Sequence, residues 1–405
     1  MYEIQSFLIL SLVSAVLPWK KRYGIEGFLL LVLLFPIGNF LAAYFYKGGL
    51  YFFDFYFISL LFRLIVNQKI EGAIALFACV GLSFYALWDL FQSQYLDKYF
   101  LRDFRLIIHL FYIISLLTIF KRITISPSFI KMAAIVASSN CLIYSQLIGN
   151  GIIFTGEDQF YLDNSYRYLS IATYFCFGFV AFNSFLPIQA KHGYLGFFAL
   201  ILCIVSVALA GMRMLLVVSI CAYFLGRKGV TSRVIFLFFI AIAFFVFQFL
   251  QVQSAQGSLL VERLLDLDLS TIAYGLSTRF YPALELISNF GPVNFVFGGG
   301  FGTVYDIPWF DYRDSKDNLN NFVDNTYLTL FGKFGLLSIL LLLALLFSYR
   351  RILGAANFSL FISVGFTFSM LWLVYAVPYQ MTAIGLLLAM GFIGACKKPV
   401  LSVSK

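Results

Sequence analysis

The sequence predicts an all-α integral membrane protein of about 13 transmembrane helices with one large hydrophilic loop, residues 252–325, that carries short helices and faces away from the cytoplasm. Three observations predict it. First, 61% of the 405 residues are hydrophobic, 20% are aromatic and only 12% carry charge, with a mean hydropathy of +0.91. No water-soluble globule of this size stays in solution with such a composition, so lipid is the solvent for most of the chain. Second, the apolar residues come in blocks about 16–22 long, the length a helix needs to cross about 30 Å of hydrocarbon, and not in the alternating ten-residue segments of an outer-membrane barrel. Third, Lys and Arg fall in every second break between blocks, which fixes an orientation.

Taken in order, the blocks lie at 4–18, 25–46, 50–66, 72–92, 106–120, 129–147, 168–188, 193–210, 212–226, 234–251, 326–348, 357–375 and 380–396. The first lacks the basic start and small-residue cleavage site of a secretory signal and is kept in the mature chain. Pro36 and Gly38 permit a kink in the second. Asp54 and Asp89 stand near the ends of the third and fourth, and His109 near the start of the fifth, so no buried relay of charges is expected. The eighth and ninth meet almost without a loop at ALAGMRMLL, which sets Arg213 at the membrane surface. The eleventh begins at Asp324-Asn325-Thr326, where Asp is the expected N-cap. The whole chain, 1–405, reads as a single polytopic membrane domain.

If Lys20, Lys21 and Arg22 lie inside, the basic series continues through Arg63, Lys69, Lys121, Arg122, Lys131, Lys191, Arg227, Lys228, Arg233, Arg350, Arg351, Lys397, Lys398 and Lys405. Seventeen of 28 basic residues are then inside, with the amino terminus outside and the carboxyl terminus inside. The +9 net charge is this bias and not a nucleic-acid footprint. Six cysteines without a CxxC pair or an outer-loop site imply no disulfide framework, and two histidines argue against a histidine-built metal site.

Polar chemistry concentrates outside. Twelve of nineteen acidic residues fall in two outer loops, 148–167 and 252–325. The long loop opens with an amphipathic pattern, Leu259 to Asp268, followed by a second helical stretch over about 271–289. Arginines stand on the outer side against the topology bias: Arg102, Arg105, Arg167, Arg213, Arg263, Arg279 and Arg313. A guanidinium fork binds phosphate bidentately and keeps its charge where water is scarce. Arg213 either snorkels to ordinary headgroups or holds a lipid phosphate. Arg279 either pairs with Glu285 or faces a ligand, and Arg167 either anchors the seventh helix or joins it. Arg102, Arg105, Arg263 and Arg313 read as interface or solvent residues. GGGFG at 298–302 matches no nucleotide-binding fingerprint. It is either a flexible tight turn or a place where backbone closely approaches a polar ligand. Asp266-Leu-Asp268 belongs to the amphipathic pattern. Asp324 is either a cap or a general base beside clustered Arg.

The order ALAGMRMLL, STRFYPALELI, FVFGGGFG and VDNTYLTLFGKFGLLSILLLL, over roughly 160–348, resembles the Wzy-type O-antigen polymerases of the O-antigen ligase and polymerase superfamily. The resemblance implies a glycosyltransferase of lipopolysaccharide biosynthesis in a Gram-negative inner membrane, working on the periplasmic side. Its donor and acceptor would be oligosaccharides on undecaprenyl diphosphate, without metal, nucleotide or other cofactor, and a chain-length regulator would be a further partner. Arg213 and Arg279 would match the family's arginines and hold the donor diphosphate together with Arg167, Arg279 also steadying the departing charge. Asp324 would be the base. Related ligases carry His-Asn where this chain has Asp324-Asn325, which turns the reading from ligase towards polymerase. The alternatives are a ligase passing glycan to lipid A core, and a lipid-linked oligosaccharide flippase or other transporter.

Overall fold

The computed structural model describes residues 2–37, 42–47, 50–67, 70–93, 97–149, 168–186, 194–210, 213–226, 269–307, 319–354 and 358–396. The tenth predicted block (234–251), the amphipathic pattern at 259–268, and Arg167, Arg263 and Arg313 lie outside the described residues.

The described chain is mostly helical. In order come α1 (Tyr2–Val16), α2 (Ile25–Leu34), α3 (Ala42–Phe45), the hairpin β1 (Tyr46–Lys47) and β2 (Leu50–Tyr51), α4 (Asp54–Val66), α5 (Ala73–Ser93), α6 (Lys98–Phe120) and α7 (Pro127–Gly149). They are followed by α8 (Ile171–Phe182), α9 (Tyr194–Leu209), α10 (Arg213–Leu225), α11 (Leu269–Ser288), α12 (Pro292–Phe297) and the pair β3 (Tyr305–Asp306) and β4 (Leu319–Asn320). The last four are α13 (Thr326–Phe334), α14 (Leu337–Ile352), α15 (Phe358–Val374) and α16 (Ile384–Cys396). Four segments, Tyr2–Trp19, Ala73–Phe91, Lys98–Phe120 and Pro127–Leu147, are long and apolar enough to cross a membrane, and several shorter apolar helices accompany them.

Three predicted spans change shape. The second is not kinked but ended: Phe35 is pushed into extended backbone ahead of Pro36, and α2 stops at Leu34. The fifth starts eight residues earlier than its apolar block, because Asp97 caps α6 by accepting from the Phe100 amide at 2.6 Å. Such a cap is worth about 1 kcal/mol and carries Arg102, Asp103 and Arg105 onto the helix. The eleventh is two helices. Gly335 ends α13 by turning to φ +53°, and a side chain there would meet the Phe295 and Val296 carbonyls.

At the centre, α8 is buried at every residue from Ile171 to Phe182, as expected of a helix that is apolar all round. It packs on α16, with the Ile171 carbonyl against Gly385 and Gly178 against Ala389, so the two run in the same direction. α6, buried along most of its length, lies against α16 through Phe120 and Phe392. At the periphery α1 and α5 expose Leu12, Phe77, Phe84 and Phe91, an apolar rind suited to lipid. Where α13, α8 and α16 begin and α15 ends is called the junction end below. The opposite end, where α6, α14 and α16 finish, holds Lys121, Arg122, Arg350 and Arg351 and is called the basic end.

Candidate functional site

At the junction end the chain enters α13 through Asp324-Asn325-Thr326. The cap falls to Asn325, not to Asp324: its backbone is extended (φ −157°, ψ 117°) and its Oδ1 accepts from the Leu328 amide at 2.9 Å. Its Nδ2 donates to the Leu373 carbonyl at 3.0 Å, and Thr326 Oγ1 donates to the Tyr375 carbonyl at 2.5 Å and accepts from the Val377 amide at 3.1 Å. The start of α13 is therefore bolted to the end of α15. Asp324 itself is half-buried and stands within electrostatic reach of Tyr174, whose hydroxyl donates to Gln380 Oε1 at 2.5 Å. A carboxylate here sits at a helix N-terminus, where the backbone dipole favours negative charge.

Arg279 approaches the same region from α11. One turn further along that helix, Ala283 packs with Tyr305, Ile307 and Val323 in a small core of their own. This stripe carries Arg279 towards the segment that precedes Asp324. It is half-buried and forms no ion pair with Glu285, which is exposed. Arg213 is the first residue of α10. Ser363 of α15 donates to the Ala222 carbonyl, and Gly226 lies against Ser184 just past α8, so the finish of α10 is at the basic end and Arg213 is at the junction end. Asp324, Arg279 and the backbone of Arg213 thus occupy one end of the bundle.

The 298–302 glycines are neither a flexible turn nor an open cradle. The Gly299 and Gly300 amides donate to the Gly332 and Lys333 carbonyls at 2.9 Å each, filling acceptors that the last turn of α13 leaves free. The next two amides turn to carboxylates: Phe301 donates to Asp89, and Gly302 donates to Asp103 at 2.8 Å. At Gly300, φ +86°, a side chain would run into the Asp89 carboxylate. The close approach expected of a ligand is made by the protein's own acids.

Asp103 and Lys333 form an ion pair of 2.6 Å in which both side chains are fully buried. Asn321 Nδ2 donates to the other carboxylate oxygen at 2.9 Å, and Lys333 also donates to the Thr303 carbonyl at 2.8 Å. Nearby, Tyr305 donates to the Thr329 carbonyl at 2.9 Å, and burial pushes its phenol well above the ordinary value. A second pair, Arg105 with Asp54 at 3.1 Å, is joined by the Tyr112 hydroxyl, so Arg105 is interior and not an interface residue. Neither pair is legible in the hydropathy pattern, because the apolar block of this helix begins only at 106 while the helix itself begins at Lys98. The polar first turns of α6 were the available signal.

A family described as "Family of unknown function (DUF6369)" matches residues 21–396. The chain belongs to the DUF6369 family. The matched range includes the glycine segment and Arg213, Arg279 and Asp324. No curated protein and no solved structure matches the chain.

Proposed function

We propose that this protein is a membrane glycosyltransferase that extends an oligosaccharide carried on undecaprenyl diphosphate, acting at the junction end on the periplasmic side of a Gram-negative inner membrane. The observation that carries the reading is the division of labour at α13: Asn325 supplies the cap, so capping does not account for Asp324. In the proposed reaction the bond between the donor's anomeric carbon and the diphosphate breaks, and a bond to the acceptor hydroxyl oxygen forms. Asp324 takes the hydroxyl proton, and Arg279 with Arg213 and Arg167 receives the charge left on the diphosphate. The resemblance to Wzy-type polymerases supports the same assignment.

The test is purified protein in proteoliposomes with a lipid-linked repeat unit. Longer glycans are expected, and Asp324→Asn should abolish them while the protein elutes unchanged. If wild-type protein makes no new glycosidic bond under these conditions, the proposal is wrong. One observation favours a second reading as transporter: the buried Asp103–Lys333 pair is the kind of charge within a helix bundle that marks transport pathways. That reading requires substrate to cross the membrane with its glycan unchanged in length.

A further inference from the structure

The basic end holds a groove that the proposed chemistry does not use. It has a volume of ≈ 170 Å³ and lies between the start of α5 and the finishes of α6, α14 and α16. Leu117, Phe120 and Ile352 contribute an apolar wall, and Lys121, Arg351 and Glu71 line the same groove. Lys121 Nζ meets Glu71 Oε1 at 2.7 Å. That hydrogen bond holds the Glu71 carboxyl below its ordinary value against some desolvation, with the charges of Lys121, Arg122 and Arg351 adding to it. Three cations therefore surround one carboxylate. Arg122 and Arg351 are exposed and form no ion pair among the described residues, which leaves two positive charges uncompensated at the rim.

We infer that this groove binds an anionic phospholipid, its phosphate taken by Arg351 and Arg122 and the start of an acyl chain laid against Leu117, Phe120 and Ile352. The argument is one of complementarity. Guanidinium matches a phosphate oxygen pair, basic pockets between membrane helices recognise acidic headgroups, and an apolar wall in the same groove as the cations suits an amphiphile better than a free ion. The site is at the opposite end from Asp324, so it stands or falls independently of the glycosyltransferase reading.

Native mass spectrometry of the full-length protein, titrated in detergent with dioleoyl phosphatidylglycerol or dioleoyl phosphatidylcholine, tests it. Preferential retention of phosphatidylglycerol is expected. The double variant Arg122→Gln, Arg351→Gln should weaken it about fivefold for each cation removed, the equivalent of about 1 kcal/mol per charge. Both positions are exposed, so folding is not at stake, and Arg102→Gln at the junction end should leave retention unchanged. Equal retention of the two lipids would overturn the inference, as would phosphatidylglycerol binding that ignores the double variant. Displacement of the lipid by millimolar inorganic phosphate would also overturn it, making the groove a site for the free anion.

Discussion

Asp324 and Asn325 are neighbours with interchangeable propensities for capping, yet it is Asn325 whose extended backbone turns its side chain onto the Leu328 amide. Its other side-chain atom is spent on the Leu373 carbonyl, so the amide does two jobs that a carboxylate could not do, having no donor. Asn325→Ala should therefore cost about 1 kcal/mol for the cap and more for the abandoned carbonyl, seen as a lower Tm in detergent. Asn325→Asp should keep the cap and lose only the second bond. Asp324→Asn should behave in the opposite manner, with Tm unchanged and glycan extension lost. If Asp324→Asn instead lowers Tm as far as Asn325→Ala does and spares extension, Asp324 is structural.

At the scale of elements, α13 is a short beam tied at both ends: to α15 through Asn325 and Thr326, and to α6 through Lys333 and Asp103. The glycine segment wraps its far end and reaches Asp89 on α5. Gly300→Ala should destabilise the protein by about 1–3 kcal/mol, since a side chain at φ +86° is strained and also collides with the Asp89 carboxylate. Thermal unfolding in detergent reads this directly. For the buried pair, Asp103→Leu or Lys333→Met alone should cost about 3–5 kcal/mol by stranding a charge, while the double variant should cost less than the sum of the two. Additive losses in that cycle would mean that the two charges do not depend on each other.

At the scale of the molecule, two ends with different chemistry face each other across the bundle. If the positive-inside reading is right, a cysteine introduced as Ser288→Cys, in an otherwise cysteine-free chain, should react with an impermeant maleimide in intact spheroplasts. A cysteine introduced as Arg122→Cys should react only after permeabilisation. The reverse pattern would place the junction end in the cytoplasm and overturn the proposed periplasmic site.

By itself the sequence determined that the chain is helical and lipid-embedded, because block length and hydropathy are properties of contiguous residues. It also located the helix boundaries at Arg213 and beside Asp324, since helix ends are written locally, whereas Pro36 read as a kink and proved to follow a helix end. What it misjudged was length and partnership. Apolar counting cut α6 short at 106, because an inward-facing Asp103 looks like a loop residue until a cation is found for it. That cation, Lys333, is separated from it by 230 positions, and no spacing rule joins them. Likewise, GGGFG announced close backbone approach, but only the packing of α5 and α6 shows that carboxylates are what it approaches. The choice between Asp324 and Asn325 as cap was also tertiary. It turns on a carbonyl of α15 that exists at that point only once the helices have assembled.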